Sequence, residues 1–319
     1  MKGSKPTSTN GRVSDLQSRV TKAEAEGQLN STRRGLLHAI LDNAEETYFL
    51  SSRELAKRYD IDAATVVRTV QALGYKRFAD FASALRQHFV ARITPYRAMK
   101  IATQEGRTPA DHVIRSLDKD LENMNHLRAR LDVDQLLRAA RHIRRARRVL
   151  VVGLDFVASL AVYLDYGLTV VGVHSEAPVG TSGNLLHKLR ILNAKDVLVA
   201  ISFGRCLRET VNAAIQAKAQ GVLTLGITDS ELSPVARYCN MHLLTSVTNP
   251  SLTASYAAAM SLVNALIVAC AHITPKRSLD VLRQGEQNYF EDDRWYENDA
   301  RRVANSRQAG NARAGNRHK

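Results

Sequence analysis

The chain has 319 residues, enough for two hydrophobic cores, and its 45 Lys/Arg outweigh 31 Asp/Glu to give a net charge of +14. The excess is uneven: +7 over residues 1–100, +4 over 101–150, zero over 151–275 and +3 over 276–319. A basic front joined to a neutral larger part fits a protein that meets nucleic acid with one end. Three scattered cysteines, Cys206, Cys239 and Cys270, offer no disulfide framework and no zinc spacing, so a reducing cytoplasm is expected, with no metal and no cofactor. The start, MKGSKPTSTNGRVSD, lacks the apolar core of a signal peptide. Ala257–Ala271 is too short and too interrupted, by Ser261 and Asn264, for a membrane span, so no membrane partner is expected.

Residues 1–26, rich in Ser, Thr, Gly and Lys, read as a flexible tail. Residues 27–103 read as a helical domain. A first helix near Ser31–Leu41 offers Leu36, Leu37, Ile40 and Leu41 as one wall. Ser51 followed by Glu54 is a capping-box pattern, and Leu55, Ala56 and Tyr59 recur at helical spacing. Asp62 caps a second helix whose inward side is Val66, Val67, Val70 and Leu73, with Gly74 to end it. Ala63, Ala64, Thr65, Arg68, Thr69 and Gln71 are left outward, with no acid from Ala63 to Arg77 to repel phosphate. The pair reads as a helix-turn-helix whose second helix enters a major groove. Arg53, Ala64, Thr65, Arg68, Thr69, Lys76 and Arg77 are the expected DNA-contacting residues.

Residues 104–147 read as a helical linker, with Val113, Ile114, Leu117, Leu121, Met124 and Leu127 at apolar spacing, then Leu136, Leu137, Ala140 and Ile143. Its basic end, Arg141–Arg148, reads as a solvated helix terminus. From 148 to 274 apolar strands (Val149–Val152, Leu168–Val173, Asp196–Ser202, Val222–Thr228, His242–Ser246) alternate with amphipathic helices. That rhythm means a parallel sheet covered on both faces. Ligands of such sheets bind beyond the strands' carboxyl ends, here Gly153–Asp155, His174–Ser175, Ser202–Arg205 and Thr228–Ser230. Residues 275–300 read as a C-terminal helix with Tyr289, Phe290, Trp295 and Tyr296 available to a subunit partner, and 301–319 as a basic disordered tail.

Phe49–Ala56, Ala64–Arg68, Leu73–Tyr75 and Phe78–Phe81 together resemble the N-terminal domain of RpiR/MurR-type bacterial transcriptional regulators. Asp196–Ser202, Arg208–Val211, Gly226–Ser230 and Ser233–Ala236 resemble a SIS (sugar isomerase) domain, the expected partner of that N-terminal domain. The resemblance implies an α/β chain, an all-α helix-turn-helix domain followed by a larger three-layer α/β/α domain. It further implies a homo-oligomer, dimer or tetramer, that binds a pseudo-palindromic double-stranded operator and a small carbohydrate-derived effector.

The ligand motif departs from the family pattern. A Gly-x-Gly-x-Ser turn is usual after the first strand, where this chain has Gly153-Leu154-Asp155-Phe156-Val157. A Ser-x-Ser-Gly-x-Thr-like loop is usual after the third, where it has Ser202-Phe203-Gly204-Arg205-Cys206-Leu207. Asp155 would repel a phosphate dianion. Either Arg205 and Arg208 at a helix start build a different anion site, or the pocket is lost and the domain only oligomerises. The effector residues expected on the first reading are Gly153, Ser175, Ser202, Gly204, Arg205, Arg208 and Glu209, with Ser182, His187 and Lys188 across from them. A sugar-phosphate isomerase is the alternative function, with Glu209 or His187 as base. It leaves the helix-turn-helix unexplained, and no catalytic residue is assigned.

Overall fold

The computed structural model describes residues 13–43, 47, 50–90, 95–178, 182–250 and 252–291. The expected tail at 301–319, residues 1–12, and the stretch 292–300 with Trp295 and Tyr296 lie outside these residues, as do the side chains of Tyr289 and Phe290.

The N-terminal part is helical: α1 (Val13–Ala25), α2 (Ser31–Asp42), α3 (Ser52–Arg58), α4 (Ala63–Ala72) and α5 (Phe78–Val90). The expectation of a flexible tail over 1–26 does not hold for α1. Leu16, Val20 and Ala23, spaced one helical turn apart, are buried against Leu37, Ile40, Leu55, Val66, Val70 and Phe81 in one core. Polar neighbours mask that stripe in the composition. Arg19 stacks 4.6 Å over the Tyr75 ring and its Nη1 donates to the Gly74 carbonyl at 2.9 Å, which clips α1 over the end of α4. The Tyr59 hydroxyl donates to the Ala39 carbonyl at 2.9 Å and joins the corner after α3 to α2.

Next come α6 (Pro95–Gln104), α7 (Pro109–Arg130) and α8 (Val133–Arg145). They lead into β1 (Val149–Val152), α9 (Ala158–Val170), β2 (Ser175–Glu176), α10 (Ser182–Arg190), β3 (Val197–Ile201) and α11 (Arg208–Ala219). The order continues with β4 (Leu223–Thr228), α12 (Pro234–Tyr238), β5 (Met241–Leu244), α13 (Ala257–Ile273) and α14 (Pro275–Glu291). All strand pairs are parallel and the sheet order is β2-β1-β3-β4-β5. Strand side chains alternate between faces. Val149, Val151, Val197, Val199 and Ile201 pack with α8, α9 and α13, whereas Leu150, Val152, Leu198 and Ala200 pack with α10 and α11. The sheet is therefore the middle of three layers.

The basic run at the end of α8 is not simply solvated. Arg144 is buried and donates to the Val171 carbonyl and the Thr274 hydroxyl, each at 2.7 Å. Arg147 forks onto the buried Asp196 carboxylate at 2.9 and 2.7 Å. Arg148 pairs with Glu176 at 3.5 Å. Among the described residues no single helix is long and apolar enough to cross a membrane, and most of α13 faces the sheet core.

The capping box that starts α3 gives a direct test. Ser51 Oγ accepts the Glu54 N–H at 3.3 Å, and the Ser51 N–H donates to Glu54 Oε2 at 2.7 Å. That backbone donor holds the Glu54 carboxyl below its ordinary 4.5. A depressed carboxyl stabilises the fold above its unfolded value and loses that effect as pH falls through the folded one. Ser51→Ala is expected to destabilise the N-terminal helices by about 1 kcal/mol at neutral pH. Glu54→Ala, which removes the carboxyl itself, should also destabilise these helices at neutral pH, and its gap from the parent protein should narrow in acid below 4.5, as read by denaturant unfolding at several pH values.

Candidate nucleic-acid interface and ligand crevice

The turn between α3 and α4 is built around Asp60, at φ 51° in the left-handed region, and Asp62, which caps α4. Asp62 Oδ1 accepts the Thr65 N–H at 2.7 Å and its Oδ2 accepts the Thr65 hydroxyl at 2.6 Å. These bonds, the side-chain one foremost, hold the Asp62 carboxyl below its ordinary value.

Arg53, Ala64, Arg68 and Lys76 are exposed, and Gln71 shares the outer side of α4 with Arg68 and Ala64. Thr65 is half-buried with its hydroxyl proton given to Asp62. Arg77 is exposed and pairs with Asp80 at 2.9 Å. Thr69 corrects the sequence expectation. It is 1 % exposed and its hydroxyl donates to the Thr65 carbonyl at 2.7 Å, so it belongs to the core face and cannot reach a base. What remains is a capped helix whose exposed outer side, Ala64, Arg68 and Gln71, carries a cation and no acid.

The second site lies where the sheet order reverses. β1 has β2 on one side and β3 on the other, which opens a crevice beyond the carboxyl ends of β1 and β3. Gly153 leaves β1 buried, and a Cβ there would sit 2.9 Å from the Val157 carbonyl oxygen, so the tight turn needs glycine. Asp155 follows at φ 57°, a conformation that costs a non-glycine residue energy. From β3, Ser202 is buried, Gly204 takes φ 61°, and Arg205, Arg208 and Glu209 are exposed around the start of α11. Leu207, at the cap position of α11, supplies no side-chain bond to its first amides.

Asp229 and Phe203, both in strand-end loops marked in the sequence, and Tyr256, which was not, complete the crevice. Asp229, at the end of β4, accepts the Gly204 N–H at 3.1 Å. Tyr256, just before α13, packs its ring 5.8 Å from that of Phe203. Burial raises the Tyr256 hydroxyl above its ordinary 10.0, with Asp155 and then Asp229 adding to the shift. Both carboxylates therefore oppose ionisation of this hydroxyl. Ser202–Arg205 and Thr228–Ser230 were legible as strand ends, but nothing local marks Tyr256.

Ser175 is not in this group. It pairs with Val149, at the amino end of β1, and its Oγ lies 2.7 Å from the Asp165 carboxylate and 3.0 Å from the Asp165 carbonyl. Lys188 is also spent elsewhere, on an ion pair with Glu176, while His187 is exposed on α10.

A capped helix-turn-helix joined to an α/β/α domain is the architecture of a DNA-binding transcriptional regulator. A model of the rpiR-family helix-turn-helix domain matches residues 20–92, and one of the SIS domain matches residues 142–269. The chain belongs to the RpiR family of helix-turn-helix transcriptional regulators with a SIS domain. It is 31% identical to the sugar isomerase domain of an RpiR transcription factor from Sphaerobacter thermophilus, with TM-score 0.53, over 55% of this chain and 97% of that one. The NanR protein of Vibrio vulnificus, solved with ManNAc-6P, shares the fold at 18% identity and TM-score 0.53, over 86% of this chain and 98% of that one. An uncharacterized HTH-type transcriptional regulator of Clostridium perfringens is 21% identical over 66% of this chain and 75% of its own length. A counterpart in Haemophilus influenzae is 23% identical over 68% and 75%.

The opposed ionisation of Tyr256 has a spectroscopic consequence. Asp155→Asn removes one of the charges that oppose tyrosinate formation, so the Tyr256 pKa should move down toward 10.0. A pH titration of ring-labelled tyrosine by NMR, with Tyr256→Phe to assign the resonance, reads the shift.

Proposed function

We propose that this protein is a cytoplasmic, sequence-specific transcriptional regulator in which the SIS domain oligomerises the chain and senses a carbohydrate-derived effector. Control of carbohydrate catabolism is the expected role. The observation that carries the reading is the joining, in one chain, of a capped helix with an acid-free outer side to a switch-point crevice. Each half alone fits several functions. Together they fit a ligand-responsive DNA binder.

On this reading Arg53, Ala64, Thr65, Arg68, Lys76 and Arg77 form the DNA face. Arg68 reads a base edge, and the flanking cations hold phosphates and set register. Two copies place two such helices on half-sites about 34–36 Å or a multiple apart. A second copy is supported by α9, which turns Val162, Tyr163, Tyr166 and Val170 outward, a set of large apolar side chains that water disfavours.

For the effector, the NanR protein solved with ManNAc-6P supports a phosphorylated sugar. Here Asp155 and Asp229 occupy the crevice, so its anion is taken from the α11 side, by Arg205, Arg208 and the uncapped amides after Leu207. A sugar acid or a differently placed phosphate suits that arrangement, with Gly153, Ser202, Gly204 and Glu209 lining it. The engagement of the Gly204 N–H by Asp229 favours a second reading, in which the domain only oligomerises. Isomerase chemistry is not favoured. Glu209 is exposed at the start of α11, and the curated relatives carry the names of regulators.

Purified protein should retain a few genomic fragments that share a pseudo-palindrome at physiological salt. Diffuse retention that vanishes as salt rises would reduce it to charge-driven binding. On a retained fragment Arg68→Ala should cost about 1–3 kcal/mol, with much less loss on random DNA. Arg205→Ala should leave operator affinity intact and abolish its response to sugar acids or sugar phosphates; a preserved response sinks the altered-pocket reading.

A further inference from the structure

The segment from Asp229 to Arg237, which carries the chain from β4 into α12, touches the crevice at one end and the helix-turn-helix domain at the other. On the crevice side it has two ties to the loop after β3. Asp229 Oδ1 accepts the Gly204 N–H at 3.1 Å, and the Ser233 hydroxyl lies 3.2 Å from Cys206 Sγ. On the other side, Leu232 is 3 % exposed and packs within the core of α1, α2, α3, α4 and α5. Glu231 Oε2 accepts the Thr21 hydroxyl of α1 at 3.0 Å. Arg237 forms an ion pair with Asp42 at the end of α2. Two buried nitrogens of Arg237, Nε and Nη1, make no hydrogen bond among the described residues, so that cation leans on Asp42.

Between the two ends the segment is stiff. Ser230 Oγ accepts the Leu232 N–H at 3.1 Å, and the Ser233 N–H donates to the Ser230 carbonyl at 3.0 Å. Ser230 and Ser233 are both buried. A turn closed by these bonds moves as one piece, and Leu232 projects from it into a close-packed core that tolerates few intermediate positions.

We propose that residues 229–237 are the coupling element between crevice and DNA-binding domain. This rests on the ligand-crevice reading above. The Gly204 amide has one hydrogen, now held by Asp229. An anionic effector that takes this donor displaces the Asp229 carboxylate. The turn carries the displacement to Leu232 and Arg237, which fix how the helix-turn-helix domain sits on the sheet. Leu232 and Arg237 are thus positioning residues. The exposed side of α4 shares no residue with the contacts that dock the segment, so DNA can bind with it docked. What the segment controls is the placement of that helix.

Amide hydrogen exchange on the full chain tests this without an identified effector. Leu232→Ser should speed exchange over α2 by about tenfold or more. Asp229→Ala, changed only at the crevice end, should speed exchange over the same α2 amides by about threefold. In both variants α13 should keep its protection, which shows the sheet domain intact. The proposal is overturned if Asp229→Ala speeds exchange at Gly204 and leaves α2 unchanged, or if Leu232→Ser leaves α2 unchanged. Should Leu232→Ser lose α13 protection as well, Asp42→Asn, which cuts only the far ion pair, takes its place with the same expectation for α2. A coupled exchange response with no specific DNA fragment retained would keep the coupling and remove the regulator reading.

Discussion

The buried carboxylate of Asp196 is the constraint on which the larger domain depends. A carboxylate without access to water needs a full set of donors, and Asp196 finds them in the fork of Arg147 and the Asn193 N–H at 2.8 Å. Arg147 sits between α8 and β1, and Asp196 directly precedes β3. Their pairing, with the Arg147 N–H on the Lys195 carbonyl and the Val197 N–H on the Arg148 carbonyl, brings the two central strands into register. Since β1 and β3 flank the reversal of strand order, this one ion pair also locates the crevice between Gly153 and Ser202.

Within that crevice the electrostatics run opposite to those of a simple phosphate cradle. Asp155 and Asp229 bring negative charge toward Tyr256, and the guanidinium groups of Arg205 and Arg208 belong to the outer rim at the start of α11. A backbone amide that would suit an anion is already answered by a side chain of the same protein. An internal carboxylate standing on such a donor sets a threshold: a ligand must out-compete it before anything else changes.

Much of this was legible in the sequence because local rules and tertiary packing agree there. The capping box at Ser51 and Glu54, the cap at Asp62 and the apolar strands at Val149, Val197 and Leu223 all sit where periodicity and turn chemistry place them. The misreadings have separate causes, and Leu168–Val173, read as a strand, instead closes α9 and the turn after it, with the edge strand starting only at Ser175. Thr69 looked outward because it carries a hydroxyl, yet that hydroxyl bonds the backbone one turn earlier and leaves a β-branched body fit for a core. Ser175 looked like a strand end, whereas β2 is a two-residue edge strand paired to the start of β1. Helix α1 hid its three apolar positions among Ser, Lys and Glu. Tyr256 and Leu232 acquire their roles only through contacts distant in sequence.

Leu232 has a consequence for how separable the two halves are. Because it fills part of the helical core, the DNA-binding domain holds a socket that its own residues do not plug. The two domains are then not interchangeable parts on a string. A chimaera that grafts this helix-turn-helix onto another sensor inherits an empty socket and an orphaned Asp42, unless the turn from Ser230 to Arg237 is transplanted with it.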